Sequence, residues 1–210
     1  MLGTHDLTLF VISGLLLNIT PGADSLYIVA RSVGQGRSAG VAAALGIALG
    51  CYLHIFAAAV GLSALLAASS TAFSTLKLIG AVYLVYIGIT LMRSTSPCSD
   101  ALKNSQPASL RSIFRQGFLT NVLNPKVAIF FLAFVPQFIE HEAPNKALAF
   151  IFLGGIFNFT GTIWCLFLAW FADHLNQRLS PRKLLFAWLT RTAGGVFVFL
   201  GFKLAVSKQN

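Results

Sequence analysis

The sequence predicts an all-α membrane protein with six transmembrane helices, arranged as two inverted three-helix repeats in which the first helix of each half is broken. Three observations lead to this fold class. Of the 210 residues, 56% are apolar and only 10% are charged, whereas an ordinary soluble domain carries about 25% charged residues. The apolar residues fall into six long stretches. Short sequence matches also relate the first half of the chain to the second.

Each apolar stretch is long enough for one membrane crossing, because a hydrocarbon core about 30 Å thick requires about 20 apolar residues in a helix. Six crossings with short connections use nearly the whole chain. This leaves room for a single transmembrane transporter domain over residues 1–210 and for no soluble domain. The predicted spans cover residues 7–33, 39–68, 72–92, 113–139, 147–172 and 184–206.

Lys and Arg are distributed unequally between the two sides of the predicted membrane domain. The loops after spans 1, 3 and 5, with the adjoining parts of the spans, contain Arg31, Arg37, Arg93, Lys103, Arg111, Arg115, Arg178, Arg182, Lys183 and Arg191. The opposite side contains Lys77, Lys146 and Lys208. By the positive-inside rule the first side is cytoplasmic. We therefore expect both termini outside a bacterial cytoplasmic (inner) membrane, and we attribute the net charge of +9 to topology rather than to nucleic acid.

The two halves of the chain share short motifs in the same order. Residues 14–21 match residues 117–125 in Gly, Leu, Asn and Pro, and residues 77–83 resemble residues 191–197. A polar linker over about 94–112 separates repeat one, about 1–93, from repeat two, about 113–210. Because each half has three spans, an odd number, the second half enters the membrane from the opposite side. Inverted repeats of this kind are typical of secondary transporters, which bind substrate between the halves.

Both first helices are interrupted deep within their apolar stretch, at Thr20, Pro21 and Gly22 in span 1 and at Asn124 and Pro125 in span 4. Proline removes an amide donor and clashes with the preceding turn, while Thr and Asn cap helices and Pro suits the first helical position. Each motif therefore predicts a helix that stops and restarts. The restart directs unpaired amides into the gap, where a carboxylate can bind. A pair of proline kinks that only shape packing is the alternative.

Asp24 and Lys126 follow the two breaks and carry opposite charges inside predicted spans. Placing such a charge in the membrane costs about 2.5 to 3.5 kcal/mol on insertion scales, which predicts a partner or a function for each. We predict that the two breaks face each other and that Asp24 and Lys126 flank a zwitterionic amino acid, with Asp24 also able to carry a coupling proton. A resting ion pair, or snorkelling of Lys126 to an interface, is the alternative.

Four further polar residues within spans are candidates: Asn121 belongs to the main predicted binding site, and Asn18, His54 and Asn158 are secondary. Asn18, Asn121 and Asn158 could line the cavity or form hydrogen bonds between helices. His54 could relay protons, since histidine titrates near neutral pH, or could be a hydrogen-bonded structural residue. The pair Gly46 and Gly50 predicts close packing between helices rather than a ligand site.

The sequence contains no catalytic constellation, phosphate-binding loop or nucleotide-binding motif. We therefore expect a protein that is not an enzyme, has no cofactor and is driven by a gradient. Two other functions stay open. Cys51 and Cys165 have the same separation as Lys77 and Arg191, so they could be repeat mates that carry reducing equivalents. A metal-ion exporter is the other function, although we expect no metal site because the spans offer few of the ligands that a divalent ion prefers.

Four motifs carry a resemblance to a known family. They are the Asn-Ile-Thr-Pro-Gly segment at 18–22 with Asp24, the spaced glycines over 34–50, residues 80–88 with Tyr83, and the Asn-Val-Leu-Asn-Pro-Lys segment at 121–126 leading to 134–138. With these motifs the chain resembles the LysE/RhtB amino-acid exporter family over essentially its whole length, although Ala23 stands where the family often has a second proline. The resemblance implies a cytoplasmic-membrane exporter that exchanges its substrate for protons.

One carboxylate lies well inside a predicted span, that of Asp24, and it suffices for a single ammonium group. This favours small, neutral amino acids or related metabolites as substrates. The expected partners are therefore the amino acid, protons as the coupling ion and the lipid bilayer, and a homo-oligomer stays open.

Overall fold

The computed structural model describes residues 3–62, 107–140 and 142–176, together with scattered positions within 75–93 and 195–202. The described residues are helical and contain no strand, although Thr4 and Ile139 form an isolated antiparallel bridge. The helices are α1 (Leu7–Ile19), α2 (Ala23–Gln35), α3 (Arg37–Ala57), α4 (Leu110–Val122), α5 (Pro125–Ile129) and α6 (Lys146–Asn176). A π-helical turn, Ala58–Leu62, continues α3, and the turns Phe130–Phe134 and Val135–Phe138 continue α5.

Two of the described helices, Arg37–Gly61 and Lys146–Ala172, are long and apolar enough to cross a membrane. The pairs α1–α2 and α4–α5 are each long and apolar enough when a bent pair is counted as one span. These four segments correspond to predicted spans 1, 2, 4 and 5. Predicted spans 3 and 6, residues 72–92 and 184–206, lie largely outside the described residues, and so does Cys98.

The start of α4 lies near the approximate boundary predicted for the second repeat. We expected a linker over about 94–112, and the helix begins at Leu110. The hydroxyl of Ser109 accepts a hydrogen bond from the amide of Ser112 at 3.3 Å, so Ser109 caps the helix. A serine cap satisfies one of the free amides of a first turn, which explains why the helix begins within a polar segment.

Helices α3 and α4 are in direct backbone contact through glycines. A Cβ on Gly46 would collide with the carbonyl oxygen of Phe114, and one on Gly50 would lie 2.7 Å from the carbonyl oxygen of Phe118. From the other helix, a Cβ on Gly117 would lie 2.6 Å from the carbonyl oxygen of Ala43. The close packing predicted for Gly46 and Gly50 is confirmed, and it joins α3 closely to α4.

Two buried apolar clusters lie at the two ends of the helices. Residues early in α1, late in α3 and early in α6 contribute to one cluster, whereas residues of α2, early α3 and late α6 contribute to the other. The first contains the aromatic cluster, which we define as Phe10, Phe130, Phe131, Phe134, Phe138 and Phe157. The change from one cluster to the other occurs near the break between α1 and α2, so the polar residues of the break lie between two apolar regions.

Candidate functional site

The first break separates α1 from α2, whose axes differ by 49°. Pro21 has no amide hydrogen to continue α1, and Thr20 leaves the helix with an extended backbone. The Thr20 hydroxyl donates to the carbonyl oxygen of Leu16 at 2.6 Å. Helix α2 restarts after Gly22, which has no side chain to cap it. The first amides of α2 therefore point into the gap, since the first turn of a helix has no acceptor of its own.

The second break separates α4 from α5, with a bend of 44° between the paired segments. Asn124 caps α5, because its Oδ1 accepts a hydrogen bond from the amide of Lys126 at 3.0 Å, and Pro125 occupies the first turn. The interruptions predicted at Pro21 and Pro125 are thus both confirmed. They are not equivalent, however: the α5 restart is capped by its own asparagine, and the α2 restart has no side-chain cap.

The ammonium group of Lys126 joins the two breaks. Its Nζ donates to the carbonyl oxygens of Leu17 at 2.7 Å and Thr20 at 2.8 Å, both at the end of α1. These carbonyls belong to the negative end of the helix dipole, where a cation is stabilised. An ammonium has three N–H donors, so one is left for another acceptor. The predicted meeting of the two breaks is therefore present in the structure.

Asp24 is held by an asparagine from the other half of the chain. The Nδ2 of Asn121 donates to Asp24 Oδ2 at 2.8 Å. The second carboxylate oxygen, Oδ1, is buried and accepts no hydrogen bond, and neither does the buried Oδ1 of Asn121. Asp24 and Lys126 are not within ion-pair distance of each other, so the resting ion pair considered above is not formed in this structure. Two buried acceptor atoms are left without a donor, which is uncommon in native proteins.

A cavity of about 40 Å³ lies between the two breaks. This is enough room for at least one water molecule. One face of α3, with Ala44, Ile47 and Cys51, forms an apolar wall, and one face of α6 forms a wall of mixed polarity. The predicted candidates that line it are Asn18, Gly22, Asp24, Asn121, Asn124, Lys126 and Asn158.

Four predicted residues do not line the cavity: Thr20, Pro21, Pro125 and His54. The ring of His54 donates from Nε2 to the backbone carbonyl of Asn121 at 2.9 Å and stacks on Phe131. His54 therefore supports the residue that holds Asp24. The amides of Asn18 and Asn158 both line the cavity and donate to backbone carbonyls, of Phe157 at 3.4 Å and Ala48 at 3.2 Å.

The face of α6 that lines the cavity was not predicted as part of the site. It consists of Phe157, Asn158, Gly161, Thr162 and Cys165. Of these, sequence analysis selected Asn158 and Cys165 alone. The available signal was small and polar residues recurring every three or four positions in an otherwise apolar stretch, which is the spacing of one helix face.

Cys51 and Cys165 both line the cavity, from α3 and α6 respectively, and neither is in a disulfide. No group of three or more His, Cys, Asp or Glu side chains with the geometry of a metal site occurs within the described ranges.

A polar seam joins α2 to α4 on one side of the cavity. Tyr27, Arg31 and Gln35 succeed one another at four-residue intervals along one face of α2. Tyr27 donates from its hydroxyl to Ile113 O at 3.0 Å, and Arg31 donates to Gln116 Oε1 at 2.8 Å.

Gln35 continues the seam beyond Arg31. Its side chain exchanges two hydrogen bonds, of 2.9 and 3.1 Å, with the backbone of Ala108 just before α4. This polar seam was not predicted, because its partners are far apart in the sequence.

The aromatic cluster lies towards the opposite end of the helices from the polar seam. Phe10 packs edge-on against Phe138 with ring centroids 5.2 Å apart, and Phe130 stacks on Phe134 at 5.3 Å. The N-terminal segment covers this cluster, because the amide of His5 donates to Phe138 O at 3.0 Å. Polar side chains thus pack at one end of the helices and buried rings at the other, and Phe157 is the member of the aromatic cluster that lines the cavity.

Comparison with known proteins gives matches over nearly the whole chain. It is 30% identical to an uncharacterised membrane protein of Pseudomonas aeruginosa, over 98% of this chain and 97% of the relative. It is 29% identical to the uncharacterised membrane protein YrhP of Bacillus subtilis, over 97% of this chain and 100% of the relative. It is also 24% identical to the leucine efflux protein of Salmonella typhimurium, over 93% of this chain and 92% of the relative.

No solved structure matches the chain. The family model described as LysE type translocator matches residues 15–208, which include both breaks, the cavity and the polar seam. The resemblance read from the motifs at the two breaks is confirmed by this match. The chain therefore belongs to the LysE type translocator family, a family of membrane transporters.

Proposed function

We propose that this protein is a secondary transporter that exports small, neutral amino acids from the bacterial cytoplasm in exchange for protons. The observation that carries the proposal is the pair of buried acceptors without donors, Asp24 Oδ1 and Asn121 Oδ1, beside a cavity that is also lined by Lys126, whose ammonium group uses two of its three N–H donors. A zwitterion supplies both missing partners. The leucine efflux protein among the relatives supports an amino acid as the substrate.

The ammonium end of the substrate binds at Asp24. A free ammonium offers three N–H donors, and the unpartnered oxygens of Asp24 and Asn121 accept two of them. Hydrogen bonds between charged groups are about twice as strong as neutral ones, so Asp24 contributes most of the affinity at this end. Asn121 holds the carboxylate in position through its Nδ2.

The carboxylate end binds between Lys126 and the start of α2. Lys126 has one N–H left after its two bonds to α1. The first turn of α2 adds backbone amides and the positive end of a helix dipole, and Gly22 leaves them uncovered. The α5 restart does not take part, because Asn124 already caps it.

The rest of the cavity wall favours a neutral side chain on the substrate. Beyond the two breaks the lining is apolar or uncharged and includes Ala44, Ile47, Val127 and Phe157. Asp24 and Lys126 are the charged residues of the described lining, and the two ends of the zwitterion use both. A charged side chain would have no counter-ion there and would bear a desolvation cost.

Proton exchange follows from competition at one oxygen. A proton on Asp24 occupies the site that the substrate ammonium needs, so Asp24 carries either a proton or a substrate. A carrier in which two ligands exclude each other at one site exchanges them across the membrane. Protons entering from outside thereby drive the amino acid outwards.

Access to the cavity alternates between the end of the helices with the polar seam and the end with the aromatic cluster. The polar seam consists of side chains that can exchange their hydrogen bonds for bonds to water, which makes it the end that opens first. The glycine contact between α3 and α4 has no such option, because backbone lies directly against backbone. We therefore assign α3 and α4 to a fixed frame and the opening motion to α2, which turns about the break at Pro21 and Gly22.

The wider architecture follows the same proposal. The chain forms one transporter domain of six spans in two inverted repeats, with both termini outside and the polar seam at the cytoplasmic end. The basic residues near the seam, Arg31, Arg37, Arg111 and Arg115, support this orientation.

Proteoliposomes with an imposed pH gradient test the function. Purified protein should accumulate a neutral amino acid against its gradient, and uptake should stop when the pH gradient is collapsed. Asp24→Asn and Lys126→Ala should each abolish accumulation. Glu142→Gln and Lys146→Ala, which remove the same charges outside the cavity, should transport normally. Full transport by both cavity variants would disprove the assignment of the site.

A further inference from the structure

Phe157 is the one aromatic side chain in the described lining of the cavity. It is 4% exposed. The next turns of the same α6 face present Gly161 and Cys165, and the facing wall of α3 presents Ala44 and Ala48. Phe157 is therefore the bulkiest part of a wall made mostly of small residues.

The ring of Phe157 is enclosed by packed groups. Its centroid lies 4.5 Å from that of Phe130, and it meets Phe131 edge to face at 5.6 Å. On another side the backbone of α1 approaches so closely that a Cβ on Gly14 would lie 3.2 Å from the ring. A different rotamer would have to displace the neighbouring rings, which a close-packed interior resists.

The other walls of the cavity have more freedom to move. The polar seam between α2 and α4 is held by hydrogen bonds of exposed and partly buried side chains. A cavity of about 40 Å³ must widen for any amino-acid side chain to enter. Widening at the seam leaves Phe157 where it is, so the substrate side chain meets an immobile ring.

We infer that Phe157 sets the upper size limit of the substrate side chain. Its immobile ring excludes amino acids whose side chains would have to occupy the space that the ring fills. This limit rests on the proposed function, since it concerns the side chain of a zwitterion whose two charged ends are bound at the breaks. One methylene in a hydrophobic pocket changes discrimination by about 10-fold to 200-fold. Replacing the ring by leucine should therefore raise the preference for a bulky over a small amino acid by about 10-fold or more.

Binding of alanine, valine, leucine and phenylalanine to the purified full-length protein tests the inference, with the shift in thermal unfolding as the readout. The same four amino acids then compete for uptake into proteoliposomes. Phe157→Leu should move the order of affinities towards leucine and phenylalanine in both assays, and Phe157→Ala should move it further. Because a large-to-small change destabilises a core, the leucine variant is the milder and folds if either does.

Phe134→Leu is the matched control. Phe134 is as buried as Phe157 and stacks on the same neighbour, Phe130, at 5.3 Å, but it does not line the cavity. Phe134→Leu should lower the unfolding temperature about as much as Phe157→Leu does, and it should keep the wild-type order of affinities.

The outcomes separate the two proposals. An order that changes with Phe157→Leu and not with Phe134→Leu supports the size limit. An unchanged order in Phe157→Leu, or the same change in both variants, overturns it while the transport function stands. A wild-type protein that is stabilised by none of the four amino acids, and takes up none, contradicts the proposed function itself.

Discussion

Asn121 connects three parts of the site. Its side chain donates to Asp24, and its backbone carbonyl accepts from His54 Nε2 at 2.9 Å and from the amide of Asn124 at 2.9 Å. It is 3% exposed, so these bonds have no competition from bulk water. The orientation of the only carboxylate in the described lining of the cavity thus depends on one asparagine at the end of α4.

Replacing Asn121 by Ala should abolish transport and destabilise the protein. The buried carboxylate of Asp24 then loses its hydrogen-bond donor, which costs about 1–3 kcal/mol. Thermal unfolding and proteoliposome uptake give the two readouts. Asn145→Ala is the control, because the Asn145 side chain caps α6 through the amide of Leu148 at 2.9 Å, away from the cavity. It should cost about 1 kcal/mol of stability and leave transport intact. Normal uptake by Asn121→Ala would remove Asn121 from the site.

Replacing both Cys51 and Cys165 by Ser distinguishes amino-acid export from thiol chemistry. Both residues contribute to the cavity wall, but the proposed binding of a zwitterion uses neither sulfur. The double variant should transport the amino acid at close to the wild-type rate. Loss of all activity, with the protein still folded, would instead favour a carrier of reducing equivalents.

At the residue scale, sequence reasoning found the charges but not their partners. Asp24 and Lys126 were identifiable because charged residues are rare in apolar stretches. That Asn121 binds Asp24, and that Lys126 binds carbonyls of α1, depends on how distant helices pack. The difference between the two restarts was readable in advance, since Gly22 has no side chain with which to cap a helix and Asn124 does.

At the scale of elements, the helix breaks followed from local chemistry, and the contacts between helices did not. Proline and capping residues act within one turn, so the interruptions at Pro21 and Pro125 could be predicted from the sequence. The spacing of Gly46 and Gly50 indicated a close contact but could not name α4 as the partner. The polar seam was missed because Tyr27, Arg31 and Gln35 read as an ordinary polar helix face when their partners on α4 are unknown.

Replacing Gly46 by Ala should destabilise the protein, because a Cβ there collides with the backbone of α4 at Phe114. We expect a loss of about 1–3 kcal/mol, typical of overpacking. Gly155→Ala on α6 makes the same chemical change where the structure shows no atom within 4 Å. It should be neutral or stabilising, by up to about 1 kcal/mol. Equal unfolding temperatures for the two variants would contradict the tight contact between α3 and α4.

Cross-linking the polar seam should stop transport reversibly. The experiment introduces Gln35→Cys and Ala108→Cys in a background with the native cysteines replaced by Ser. A short, reducible, thiol-reactive linker then joins the two new cysteines. Uptake should be lost when the linker is present and return when it is cleaved, because α2 can no longer move away from the start of α4. Each single-cysteine variant treated with the same reagent is the control. Undiminished uptake in the cross-linked protein would show that α2 does not open the cavity.

At the scale of the whole molecule, the membrane character and the transporter family were predictable from the sequence, since both depend on composition and on motifs at the two breaks. Four of the predicted spans correspond to segments that the structure describes. The packing of the two halves around the cavity required coordinates, because matched motifs indicate related halves but not which helices touch. The structure adds an asymmetry within the pair: the restart after Gly22 has no side-chain cap, and the restart after Asn124 is capped.

The central claim is that the cavity between the breaks holds a zwitterion by both of its charged ends. The most direct measurement compares binding of one neutral amino acid with binding of its decarboxylated amine and of its deaminated acid, by calorimetry on the purified protein. We predict that the amino acid alone binds, and that Asp24→Asn removes this binding. Equal binding of the amine or the acid, or undiminished binding of the amino acid to Asp24→Asn, would contradict the claim.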